Sequence, residues 1–140
     1  MRLGSANLTD DRIRYITYRG QRILLVDHSG CTAAELAAVC DLVPSYVTPE
    51  PDNSVLLLAD FSNAQIDRDA LEHVKLAAVF DRPHLKRSAW VITPSFPKAF
   101  YENVKAFSVR ELRIFQTREQ AMSYLVGEDE EETQELAPPA

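Results

Sequence analysis

With 140 residues, 46% of them apolar and 9% aromatic, the chain has the material for one well-buried core and not for two. Glu128, Asp129, Glu130, Glu131, Glu132 and Glu135 account for the formal charge of -6, because the other 15 acids balance the 15 lysines and arginines. A body so near neutrality argues against a nucleic-acid partner, no apolar run approaches the roughly 20 residues of a membrane helix, and Cys31 and Cys40 fit no metal or redox spacing, so reduced thiols in a cytoplasmic protein are expected.

Residues 1–11 are polar, show no period and read as a flexible lead-in. Ile13-Arg14-Tyr15-Ile16-Thr17-Tyr18 is rich in β-branched and aromatic residues, Arg19-Gly20-Gln21 supplies a turn, and Arg22 to Asp27 resumes as a strand; this predicts a hairpin. Thr32 followed by Glu35 is a capping box, and Leu36, Val39, Cys40 and Val43 then recur at helical spacing, which carries a first helix to about Ser45 or Tyr46. Residues 47–53, with Pro49 and Pro51, cannot hold a helix and read as a connection.

Val55-Leu56-Leu57-Leu58-Ala59 is an uninterrupted apolar run of strand length, as expected of a strand covered on both faces of a sheet. It ends at Asp60, passes through the polar loop Phe61-Ser62-Asn63-Ala64-Gln65-Ile66 and enters a second helix capped by Asp67, with Leu71, Val74 and Ala78 inward and Arg68, Glu72 and Lys75 outward. Residues 81–84 break that helix. Arg87 to Thr93 predicts a fourth strand, Ser95 ahead of Pro97 a third helix with Phe100 and Val104 inward, and Glu111 to Phe115 a fifth strand. Thr117 and Gln120 repeat the capping pattern for a last helix ending near Gly127, and the acidic segment 128–140 is expected to be a disordered tail.

This order implies a single α/β domain over residues 12–127, with a mixed, mostly parallel sheet of about five strands, four helices and an N-terminal β-hairpin. In such sheets ligands and partners meet the loops at the carboxyl ends of the parallel strands, which here carry Asp27-His28-Ser29, Asp60-Phe61-Ser62-Asn63 and Thr93-Pro94-Ser95.

The hairpin Ile16-Thr-Tyr-Arg-Gly-Gln-Arg-Ile-Leu-Leu-Val-Asp-His-Ser-Gly30, the strand and loop from Val55 to Asn63, and the closing Phe115-Gln-Thr-Arg-Glu-Gln-Ala-Met-Ser-Tyr-Leu125 resemble the STAS/SpoIIAA-like group of small bacterial α/β proteins. The resemblance spans about Ile13 to Val126. It implies the fold of the anti-sigma-factor antagonists and non-enzymatic modules that bind proteins, nucleotides or lipids. In the antagonists the helix after the central strand opens with a phosphorylatable serine; here Ile66-Asp67 is followed by Arg68, so the hydroxyl of that switch is missing from its place.

Several side chains invite chemistry and have a plainer use. His28 and Cys31 are spaced for an imidazole-activated thiolate, yet Cys31 also serves as a small residue ahead of the Thr32 cap. Asp27 and Asp60 end strands and can form a carboxylate pair or hold a hard cation, but strand-terminal Asp commonly accepts loop amide hydrogens. Arg82, His84, Lys86 and Arg87 read as a solvated basic loop at the opposite edge. Four ungrouped glycines exclude a phosphate cradle of the GxGxxG or P-loop kind. Trp90, Phe96, Phe100, Tyr101 and Phe107 either fill the core or line an apolar groove.

The sequence therefore predicts a binding module with no catalytic residue, metal or cofactor. Its protein partner is expected to meet Asp27, His28, Asp60, Phe61, Ser62, Asn63, Asp67 and Arg68. The alternative is a binder of a small apolar or lipid-like ligand between the third helix and the sheet, at Trp90, Phe96 and Phe100. A homodimer is compatible with either, and a hydrolase using Asp27, His28 or Cys31 ranks third.

Overall fold

The structure is a computed structural model that describes residues 11–94, 96–105 and 112–127. The lead-in before Asp11, Ser95, Phe107, Glu111, the Val104 side chain and the acidic segment 128–140 lie outside the described residues.

The first two strands form the predicted hairpin, β1 (Ile13–Tyr18) and β2 (Gln21–Asp27), paired antiparallel. Arg19 and Gly20 both take positive φ, at 51° and 82°, as a two-residue type I′ turn requires. Helix α1 (Ala33–Val47) starts at the capping box, where the Glu35 amide donates to Thr32 Oγ1 at 3.2 Å and the Thr32 amide donates to Glu35 Oε1 at 2.9 Å. It runs one residue beyond the expected end despite Pro44, because the Thr48 amide donates to the Pro44 carbonyl at 2.8 Å and closes the last turn.

β3 (Val55–Asp60) is buried at every position, and β2 and β4 (Leu85–Val91) flank it in parallel. β4 lies two residues earlier than its sequence pattern suggests. Its register decides this: Leu85 pairs with Val55, and Val91 pairs with Asp60, where β3 ends. Arg82–His84 is a short 3₁₀ turn, and Lys86 and Arg87 belong to β4, so the expected solvated basic loop is in fact built into the fold. His84 Nδ1 lies 2.7 Å from the Glu50 carbonyl, and Arg87 donates to the Leu125 carbonyl at 3.1 Å.

β5 (Leu112–Phe115) completes a five-stranded sheet of order β1-β2-β3-β4-β5. Because consecutive parallel strands are neighbours and crossovers are right-handed, the connecting helices must all lie on one face. The packing agrees. α1, α2 (Arg68–Asp81) and α3 (Lys98–Lys105) join Val26, Leu57, Ala59 and Trp90 in one apolar cluster, whereas α4 (Arg118–Leu125) covers Ile23, Leu25, Leu58 and Val91 on the other face.

Leu58 is fully buried under α4 and Arg68 is exposed. Leu58→Ala should cost about 2–5 kcal/mol of unfolding free energy, and Arg68→Ser should stay within about 0.5 kcal/mol; urea melts of both variants check the difference.

Candidate functional site

Asp27 and Asp60 end adjacent parallel strands in register. Each turns its own loop: Asp27 Oδ1 accepts from the Ser29 amide and hydroxyl at 2.9 and 2.5 Å, and Asp60 Oδ1 accepts from the Ser62 amide at 2.9 Å. Two carboxylates side by side would repel. Arg118, the first residue of α4, lies between them, with Nε donating to Asp60 Oδ2 at 2.6 Å and Nη2 3.2 Å from Asp27 Oδ1.

This clasp shifts the titration of its members. Burial pushes the Asp27 carboxyl upward, but the Ser29 hydrogen bonds and the Arg118 charge outweigh it and hold the group below its usual range. Burial opposes the Arg118 charge, and its bonds to Asp60 and Asp27 raise its pKa regardless. Both carboxylates are thus occupied by structural bonds, and among the described residues no three His, Cys, Asp or Glu side chains gather as a metal set.

The loops above the clasp are stitched together by backbone bonds. The His28 amide donates to the Asp60 carbonyl at 2.8 Å, Gly30 to Ser62 at 2.9 Å and Gln65 to Cys31 at 2.9 Å. Arg12 adds bonds to the Asp27 and Ser29 carbonyls, both at 3.0 Å. Of the residues predicted to meet a partner, His28 and Phe61 turn inward and stack, with centroids 4.6 Å apart and planes 8° from parallel. Ser62 is half-buried, whereas Asn63, Asp67 and Arg68 are exposed. Asn63 adopts φ of 57°, which Asn tolerates better than most residues, and Asp67 caps α2 by accepting the Ala70 amide at 2.8 Å.

The aromatic residues form a packed group. Phe61 contacts Trp90 at 4.6 Å and Phe96 at 5.3 Å between centroids; Trp90 and Phe96 are buried and Phe100 is half-buried. Cys31 is fully buried and its thiol is pushed up by burial, contrary to what an activated nucleophile needs.

No protein-family model matches the chain, and no curated protein matches it. A solved structure does. An uncharacterised DUF3478-family protein from Shewanella loihica PV-4, described as having a SpoIIAA-like fold, matches with a TM-score of 0.61 over 81% of this chain and 91% of that one, at 14% identity. The fold is SpoIIAA-like. In this chain the loops that Arg118 holds lie at the carboxyl edge of the sheet, and Arg68, Glu72, Leu76 and Phe80 of α2 are exposed.

Sequence reasoning passed over three features of this SpoIIAA-like domain. A cation in the first turn of a helix is unfavourable for the helix dipole, so Arg118 directly after the Thr117 cap was a signal that acids lay opposite. Leu76, Val79 and Phe80 are 55%, 40% and 54% exposed and form an apolar patch on the outer side of α2. Asp81 and Ser88 fall on inward-facing positions, and both are buried.

Burial holds the His28 imidazole neutral, with its pKa lowered from 6.5 to about 3, although Asp27 and Asp60 oppose the shift and Arg12 supports it. Burial also raises Asp81 from 3.8 to about 7. The unfolded chain protonates His28 near pH 6.5 while the folded one does not, so this residue costs stability as pH falls from 6.5 toward 3. Asp81 acts in the opposite sense: the folded state keeps its proton up to about pH 7, and the stability present below pH 3.8 is lost as pH rises to that value.

Two measurements follow from this geometry. Removing the shared cation with Arg118→Ala leaves Asp60 buried with one charged bond fewer and should cost roughly 2–3 kcal/mol in chemical denaturation. In melting temperature against pH, His28→Phe should flatten the acid limb and Asp81→Asn the decline between pH 4 and 7; a wild-type slope in either variant would acquit that group.

Proposed function

We propose that this protein is a non-enzymatic regulatory module that docks a protein partner through the loop after β3 and the outer side of α2. The observation that carries the reading is the face of that helix. Arg68, Glu72, Leu76 and Phe80 recur every fourth residue and are all exposed, so they form one ridge of an α-helix. Over its 14 residues, about 21 Å at the usual rise, the ridge passes from a charged amino-terminal end to an apolar carboxyl-terminal end.

The charged end is continuous with Asn63, Gln65 and Asp67 on the loop. That loop is held by backbone bonds and the Arg118 clasp, so a partner meets a surface already ordered and binding loses less conformational entropy. Leu76, Val79 and Phe80 supply the apolar contact that a polar loop alone lacks, and clustered exposed apolar side chains of this kind mark interaction surfaces. The SpoIIAA-like fold is consistent with a regulatory or binding role.

A photo-crosslinking amino acid placed singly at Asn63, at Leu76 and at Asp52, which is exposed at the amino-terminal end of the sheet, tests the reading in the native host. The first two positions should capture the same protein and the third should not, and Phe80→Asp should reduce capture at least tenfold. Capture from Asp52 alone, or equal capture from all three, would move the docking face elsewhere.

A further inference from the structure

A cavity of about 70 Å³ lies between the sheet and the inner sides of α1 and α2. Its walls are largely apolar, with Val43 from α1, Val74 and Ala78 from α2, and Leu57 and Trp90 from the sheet. Three buried polar side chains also line it, His28, Ser88 and Asp81, at 2%, 4% and 3% exposure, together with the half-buried Arg82 beside Asp81. Among the described residues His28 Nδ1 and Asp81 Oδ1 have no hydrogen-bond partner.

These two atoms mark different ends. His28 follows Asp27, which pairs with Asp60 at the carboxyl end of β3, while Asp81 precedes Leu85, which pairs with Val55 at the amino end. The strand between them spans roughly 16 Å at the usual rise per residue. Ser88 pairs with Leu57 partway along, at an inward position where a larger apolar side chain would close the space.

Folded proteins pair nearly all of their buried polar atoms. Two unpaired atoms on one largely apolar void have the composition of a small-molecule site, where a few polar groups orient a ligand held by apolar walls. Water satisfies such atoms only where it finds two to four polar neighbours, and between the two ends Val43, Val74 and Leu57 offer none and Ser88 offers a single hydroxyl. The volume admits roughly five water-sized positions, which is the scale of a short alkyl chain with one polar head.

We propose that this cavity binds a small uncharged amphiphile, a short-chain alcohol in chemical class, whose hydroxyl bonds Asp81 and whose alkyl body lies against Leu57, Val74 and Trp90. Asp81 selects a neutral head. A carboxylic acid hydrogen-bonds a hydroxyl as donor and acceptor, whereas an anionic head would meet a carboxyl group at close range in an apolar setting. The inner side of α2 carries this site, so it stands independently of partner docking on the outer side.

Titration of the full chain with 1-butanol at pH 6, followed by amide chemical shifts, tests the proposal, with butyrate as the anionic control. Saturable shifts should appear at Leu57, Val74, Asp81 and Ser88 and not at Leu76 or Phe80. Asp81→Leu should weaken binding at least tenfold, and Ala78→Leu, which fills the void, should abolish it; Ser88→Val serves the same purpose if that variant fails to fold. No saturable shift overturns the proposal, since the void then holds water only. Equal affinity for butyrate, or wild-type affinity in Asp81→Leu or in the filled variant, overturns it as well.

Discussion

Arg118 satisfies a constraint that the parallel sheet creates. Register places Asp27 and Asp60 side by side at the carboxyl ends of β2 and β3, and each is committed to turning its own loop through the amide two residues on. Two adjacent carboxylates in a half-buried place need a cation. It comes from α4, which packs on the other face of the sheet and opens at Arg118. The clasp thereby fixes the angle of the last helix, the two loop starts and the electrostatics of the edge together. It also gives the carboxylate pair a structural use, because Asp27 Oδ1 and both Asp60 oxygens already take part in bonds from Ser29, Ser62 and Arg118.

Most of the fold was legible because it is written in local patterns. The apolar run from Val55 to Ala59, the caps at Thr32, Asp67 and Thr117, and the hairpin turn at Arg19-Gly20 each name their element with a period of one or two turns. Where boundaries moved, a long-range pairing decided them. β4 starts at Leu85 because Leu85 meets Val55, which no pattern within β4 records. The site was legible in part for the same reason. Position along the strands brought Asp27 and Asp60 to one edge, but Arg118 lies 58 residues from Asp60 in sequence, and nothing near either residue names the other. His28 and Phe61 were read as loop residues, and the structure turns them inward because two rings stacked over Trp90 bury more apolar surface than two rings held in water.

The second helix has an unusual division of labour. Its inner stripe, Ala70, Leu71 and Val74, is ordinary core, and then the same stripe ends on Asp81 at the position where another apolar residue would seal the layer. Its outer side reverses the expected polarity in the last turns, with Leu76, Val79 and Phe80 in water. A helix selected only to cover a sheet would exchange these two sets. Keeping a carboxyl inside lowers stability, and three large apolar side chains outside forgo much of the burial they could contribute; departures of that kind from local consistency gather where a chain does something other than fold.

Charge at the start of the same helix points the same way. Arg68 occupies the first helical position, where the dipole disfavours a cation. Asp67 and Asp69 on either side restore a favourable sign at the helix end, and none of the three is buried. The result is a fixed pattern of alternating charge on an ordered surface, next to a loop whose backbone is bonded at Gly30, Ser62 and Gln65. In the proposed docking, recognition built on such a pattern would depend on the partner's complementary charges and on ionic strength, with the polar end of α2 setting specificity and association rate and the apolar end at Leu76 and Phe80 supplying the buried contact.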